Sequence, residues 1–253
     1  MSFVRSATRA STSSPLSSSA ATHREPLVSA RPFLPRVCRI VPRWRYVLAA
    51  VWLSLVFVAM MGHAHQKPFW YDEVIFRWVA MEPSVHSIYR DLLGAIDLDP
   101  PLAQVVTHFT VMLLGSGQIA TRIPAMIGVC STLLCLFLTL EIYLDSLFAL
   151  IALVFPVCSL LIEYGWEARP YGLMDGFLAL TVLSWCYLGK DDSRRGLWTA
   201  VLAASLTLML GCHFYAIFAL PAFYVAEVDR SHRRGPVLAA AGKYIVVQVN
   251  PLP

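Results

Sequence analysis

Long apolar runs constrain this chain more than any other feature: Tyr46 to Met61, Leu102 to Leu114, Ile123 to Leu140, Ser146 to Ile162, Leu173 to Leu188 and Leu197 to Ala226, with a weaker run starting near Pro236. At about 20 residues per crossing, runs of this length read as membrane-spanning helices. The chain is therefore predicted to be all-α, a polytopic transmembrane bundle of roughly six or seven apolar segments with short connections. Composition agrees, since 57% hydrophobic and 14% charged residues with a mean hydropathy of +0.61 lie far from the balance of a water-soluble domain.

Residues 1–45 form a separate region. Ser11 to Ala21 is rich in Ser and Ala, prolines are scattered, and no apolar period is sustained, which predicts a disordered tail ahead of a membrane module at 46–253. The tail is Arg-rich with Glu25 as its one acid, a composition shared by mitochondrial transit peptides and by cytoplasmic basic flanks. Net charge is +4. Much of it sits in Arg36, Arg39, Arg43 and Arg45 and again in Arg230, Arg233 and Arg234, beside apolar segments, as cytoplasmic flanks do. Nucleic-acid binding is disfavoured, because these arginines are not interleaved with aromatic stacking residues. Cys38, Cys130, Cys135, Cys158, Cys186 and Cys212 are spread singly, without C-x-x-C spacing, and read as small packing residues.

Two segments leave the topology open. The run 197–226 would be about 45 Å long as one helix against a core of roughly 30 Å, so it is either strongly tilted or a hairpin turning at Gly211-Cys212-His213. The run 102–114 is short and interrupted by Gln104 and His108. If it crosses fully, the basic stretch Lys190 to Arg195 falls on the side opposite the amino terminus, against the positive-inside rule. A re-entrant 102–114 returns the basic loops to the cytoplasm and brings Glu167 and Arg169 to the face of Asp72. That arrangement is favoured, and it implies packing in protein or against a cavity.

Chemistry is expected in the loop between the first two runs, which carries Phe69-Trp70-Tyr71-Asp72-Glu73 and Asp97-Leu98-Asp99-Pro100-Pro101. Carboxylates beside a bilayer are costly and commonly serve a cation, a proton or a polar substrate. The same acids also suit the first turn of an interfacial helix through Ile75, Phe76, Val79 and Ala80. Asp97 and Asp99 form a D-x-D that could hold a divalent cation, or they end a turn before Pro100 starts the next helix.

In order and spacing, Tyr71-Asp72-Glu73, Asp97-x-Asp99-Pro100-Pro101-Leu102, Arg122-Ile123-Pro124-Ala125 and Glu167-Ala168-Arg169-Pro170-Tyr171 resemble the polyprenyl-phosphate-sugar-dependent glycosyltransferases of the GT-C fold. The nearest subgroup is the dolichyl-phosphate-mannose protein mannosyltransferase-like and lipopolysaccharide-modifying proteins. The resemblance covers about Tyr46 to Tyr224. It implies a first extracytoplasmic loop with interfacial helices, a catalytic base at Asp72 with Glu73 beside it, and sugar transfer from a lipid-phosphate donor to a protein, lipid or glycan acceptor outside the cytoplasm. Asp97, Asp99, Arg122, Glu167, Arg169, Tyr171 and His213 become substrate-binding candidates, with Asp97 and Asp99 the metal ligands if a metal is used. No other cofactor is implied.

Physical chemistry fits those roles. A carboxylate can deprotonate an acceptor hydroxyl, and a guanidinium at Arg169 or Arg122 can grip phosphate with two parallel hydrogen bonds. Arg169 could equally form a surface pair with Glu167, and Arg122 could be a loop arginine at a helix start. His213 reads as a core histidine or as a site residue. Asp175 is expected to neutralise an arginine such as Arg169. Where many relatives of that family have His, this chain has Asp99. The relatives also continue through further spans, so a fragment or a catalytically inactive or partial relative is one expectation, and a small transporter or scaffold is the alternative class. The expected location is the bacterial inner membrane, multi-pass, with a cytoplasmic amino terminus.

Overall fold

The computed structural model describes residues 37–233, and among them every regular element is helical. Residues 1–36 of the expected 1–45 tail and the weak run from Pro236 lie outside the described residues. Helix α1 (Val37–Gln66) already begins inside the stretch assigned to the tail. It runs to what we call the site end of the bundle. There the chain remains for three helices, α2 (Tyr71–Ala80), α3 (Val85–Leu93) and α4 (Leu102–Leu114).

These three helices do not carry the chain across. Leu102, at the start of α4, packs over Gly211 at the end of a later helix. The other end of α4 stops at Gly115, whose φ of 90° turns the chain into α5 (Gln118–Tyr143). Arg77 of α2 ties that turn down through Ser116 O at 2.9 Å. Phe76 of α2 packs with Ala103 of α4, and His108 Nδ1 lies 3.0 Å from Ala80 O. The polar residues of the short run are thus engaged at the site end, His108 by α2 and Gln104 by Asp97 of the preceding loop, in accord with a segment that does not cross.

From α5 the chain traverses the bundle repeatedly. The third passage is broken into α6 (Ser146–Ala152), α7 (Val154–Val157) and α8 (Leu160–Gly165). Pro156 supplies no N–H to the preceding turn, and Ser159 restarts the helix by accepting the Leu161 N–H at 3.2 Å. Passages α9 (Tyr171–Leu188) and α10 (Arg195–Cys212) follow. The run 197–226 is a hairpin: α10 ends at Cys212, His213 is extended, a 3₁₀ turn covers Phe214–Phe218, and α11 (Ala219–Arg233) returns. Its Arg230 and Glu227 bond Trp185 O and Trp185 Nε1 at 2.9 and 2.8 Å, at the far end of α9.

Two packing devices hold the bundle. Met60, Met126, Val129, Leu133, Phe137, Ala149, Leu153 and Trp166 form the main apolar core between α1, α5 and the third passage. Helices α5 and α9 meet main chain to main chain: a Cβ on Gly172 would lie 2.5 Å from Ala125 O, and one on Gly176 would lie 2.8 Å from Gly128 O. Small residues are what allow two spanning helices this close. At the far end, Arg45 reaches Glu141 and Ser146 at 2.9 and 3.3 Å. The Arg43–Arg45 flank and the 190–195 connection therefore share one end, and Asp72, Glu167 and Arg169 share the other.

Candidate active site

A buried ion pair forms the floor of the site end. Glu73 in the first turn of α2 and Arg122 in the second turn of α5 are both fully enclosed. Arg122 Nε and Nη2 donate to the two Glu73 oxygens at 2.9 and 2.8 Å. Its remaining donors reach Ala64 O at 2.6 Å, Lys67 O at 2.8 Å and Pro68 O at 3.3 Å. Glu73 also accepts the N–H groups of Ala168 at 2.6 Å and Trp70 at 3.0 Å. Burial alone would raise the Glu73 pKa, but the Arg122 guanidinium and these two amides outweigh it and hold the carboxyl below its ordinary value. One pair thus joins the end of α1, the start of α2, the start of α5 and the 166–168 loop. The Arg122 donors are thus spent on protein acceptors in a fully enclosed position, the geometry of a structural pair. Glu73 is likewise enclosed and does not stand beside Asp72 at an opening.

Above the floor lies a second, open layer. The Asp72 side chain is 60% exposed, and its Oδ2 accepts from Arg169 Nη2 at 2.5 Å. Arg169 Nη1 lies 3.7 Å from Glu167 Oε2, and Glu167 Oε1 takes Lys67 Nζ at 2.9 Å. Lys67, Glu167, Arg169 and Asp72 therefore alternate in charge along one line. The expected partnership of Asp175 with Arg169 is not formed; Arg169 pairs with Asp72 and Glu167, and Asp175 lines the neighbouring groove.

The third component comes from the α3–α4 loop and the α10 break. Asp97 accepts Gln104 Nε2 at 2.9 Å and the Asp99 N–H at 3.4 Å, which fixes the turn before Pro100. His213 Nδ1 accepts the Tyr215 N–H at 3.0 Å, so the neutral ring carries its proton on Nε2. That Nε2 faces Asp99 Oδ1 at 3.2 Å, and the ring packs on Tyr171 with centroids 4.9 Å apart. Burial and the neighbouring Asp97 push the Asp99 carboxyl up to about 7, with Arg169 opposing. Burial, helped by Arg169 and opposed by Asp97, lowers the His213 pKa. Both Asp97 oxygens accept hydrogen bonds, and among the described residues no three His, Cys, Asp or Glu side chains group to hold a metal.

An open groove of about 550 Å³ adjoins this layer, lined by Leu160, Leu161, Tyr164, Met174 and Tyr215, with Arg169, Tyr171 and Asp175 among its walls. The structure thus gathers Asp72, Asp97, Asp99, Glu167, Arg169, Tyr171 and His213 at one end, and places Glu73 and Arg122 beneath them. Lys67, held over the indoles of Trp70 and Trp166 at 5.0 and 4.7 Å, was not singled out by the sequence; its only signal is a cation following the first span. Gln104 was noticed only as an interruption of an apolar run.

Comparison with family models matches residues 99–250 to the dolichyl-phosphate-mannose-protein mannosyltransferase family. The chain belongs to this family. Membership makes it one of the membrane glycosyltransferases of the GT-C type, whose donors are sugars on a lipid phosphate. The mannosyltransferase-family match spans Asp99, Arg122, Glu167, Arg169, Tyr171 and His213, while Asp72, Glu73 and Asp97 precede it. No curated protein and no solved structure matches the chain.

Proposed function

We propose that the chain moves a sugar from a polyprenyl-phosphate donor to a protein, lipid or glycan acceptor on the extracytoplasmic side, with its amino terminus in the cytoplasm of a bacterial inner membrane. The observation that supports this most is the exposed Asp72 carboxylate 2.5 Å from Arg169, which itself lines a largely apolar groove. A lipid-phosphate sugar presents an anion, a polar ring and an apolar chain, and these three surfaces match an arginine, a carboxylate-lined opening and an aliphatic groove. The common end of the Arg43–Arg45 flank and the Lys190–Arg195 connection supports the orientation.

In this reading Asp72 takes the proton of an acceptor hydroxyl. The acceptor oxygen attacks the anomeric carbon, the bond from that carbon to the phosphate oxygen breaks, and the lipid phosphate departs with its electron pair. Arg169 carries the phosphate charge as it develops. A single displacement inverts the anomeric centre. His213, Tyr171, Asp97 and Asp99 shape the wall facing Asp72, while Glu73 and Arg122 fix the backbone on which Asp72 and the 166–169 loop stand.

The test is sugar release from a panel of radiolabelled polyprenyl-phosphate sugars by the purified chain, wild type against Asp72→Asn. Turnover by the wild type with a loss of about 10²–10⁴-fold in the variant is expected for removal of a general base. Equal turnover by the two proteins would remove Asp72 from the reaction, and no release of any sugar by the wild type would remove the reading itself.

A further inference from the structure

Glu167 is a nearly buried carboxylate with cations on both sides. Lys67 Nζ lies 2.9 Å from Oε1, and Arg169 Nη1 lies 3.7 Å from Oε2. The shorter contact is the charge-assisted hydrogen bond, and the longer one is an ion pair at the limit of contact. Lys67 is held at both ends. Its main chain joins α1 through His63 O at 3.1 Å and accepts from Arg122 at 2.8 Å, and its ammonium rests over two indole rings.

We infer that Lys67 is a positioning residue: by occupying Glu167 it keeps Arg169 Nη1 from closing a hydrogen bond on that carboxylate, and so leaves this edge of the guanidinium to the donor phosphate while Nη2 holds Asp72. The inference rests on the reading of Arg169 given above. A carboxylate this enclosed needs a partner. Once Lys67 is gone, Arg169 is the next cation within reach, and its planar fork suits two-point contact with Glu167. The 3.7 Å contact of Arg169 with Glu167 would then tighten to a hydrogen bond beside the one to Asp72, and the local charge would change from balanced to net negative. Both changes oppose an incoming anion. Lys67 acts in this scheme without touching the reacting atoms.

Binding of sugar-free polyprenyl phosphate to the full chain in detergent or nanodiscs tests this, because it reads the phosphate contact apart from turnover. Lys67→Met should weaken binding about tenfold. Lys67→Arg should restore it to within about threefold, since the charge returns. The double variant Lys67→Met with Glu167→Gln should recover most of the loss, because the competing carboxylate is gone. Lys67→Gln carries the same comparison if the methionine variant fails to fold. A Lys67→Met protein that binds like wild type overturns the inference. So does a double variant as weak as the single one, which would make Lys67 a packing residue of the 66–70 segment. Arg169→Ala run alongside separates the two levels: if it binds polyprenyl phosphate as well as wild type does, the phosphate role of Arg169 falls and the inference with it, whereas loss in Arg169→Ala with no effect of Lys67→Met removes the inference alone.

Discussion

Replacing Arg122 with Met should unfold the site end before it affects chemistry. The substitution keeps much of the side chain's length but removes the donors that reach Glu73, Ala64 O, Lys67 O and Pro68 O. Removing one partner of a buried ion pair costs about 3–5 kcal/mol, because the survivor stays charged in a medium that cannot solvate it. Glu73 would retain the Trp70 and Ala168 amides at 3.0 and 2.6 Å, which softens the loss. Three carbonyls would lose a donor, at about 1–3 kcal/mol for each that stays dry. With the carbonyls rewetted through the space that Met leaves, the pair sets the expectation near 4 kcal/mol, or a fall of about 10 °C in melting temperature for a chain of this size, and each carbonyl that stays dry adds to it. Thermal unfolding in detergent of wild type, Arg122→Met, Glu73→Gln and the double variant reads it directly. The double variant should melt above Arg122→Met, since it removes the stranded charge. The reasoning is refuted if Arg122→Met melts within about 2 °C of wild type while losing affinity for polyprenyl phosphate, for Arg122 would then meet the donor and not Glu73.

Further expectations follow from the close crossing and from Asp99. Gly172→Val places carbon against Ala125 O and Gly165 O, both main chain, and should cost more than the usual 1–3 kcal/mol of overpacking, visible as aggregation in size-exclusion chromatography. Gly62→Ala meets nothing within 4 Å and should leave stability equal or up to about 1 kcal/mol higher; damage there equal to that at Gly172 would refute the packing argument. Thr181→Val removes the hydroxyl contact to Ser205 at 2.9 Å between α9 and α10, for an expected melting loss of about 0.6 kcal/mol. Because the Asp99 pKa is raised in the folded state, its contribution is intact below 3.8 and lost as pH rises towards about 7. Asp99→Asn should therefore raise the melting temperature at about pH 8 and leave it lower or unchanged at about pH 4; the same difference at both pH values would count against the shift.

The passages of the chain were legible because apolar length is a one-dimensional property. The hairpin at His213 was one of two readings, and the break falls at the Gly211-Cys212-His213 triplet. The third passage was missed as a broken one, although Pro156 stood inside the run from Ser146 to Ile162; a high apolar density masked the loss of its N–H. At the site, the motif residues could be named but not sorted. Glu73 follows Asp72 directly, yet the first turn of α2 sends one into the core and the other to the opening. Arg122 in a loop-to-helix sequence looks like a solvated cation until the end of α1 is laid across it. No local pattern records that contact, because its partners lie 49 to 58 residues away. Lys67 escaped notice for the same reason, as its meaning depends on Glu167, 100 residues on.

The main-chain contact between α5 and α9 affects how freely the rest of the protein can vary. Arg122 sits on α5 just before Ala125, and Arg169 just before α9 and Gly172, so the spacing between floor and opening is referenced to two backbones in direct touch. No intervening side chain can grow, shrink or change rotamer to alter it. Residues lining the groove, such as Leu160, Leu161 and Met174, can then be exchanged for other apolar shapes without moving the charged groups. The fold thus separates the register of the charged groups from the shape of the adjoining groove; on the proposed function, a change of donor-lipid preference would require no change in that register.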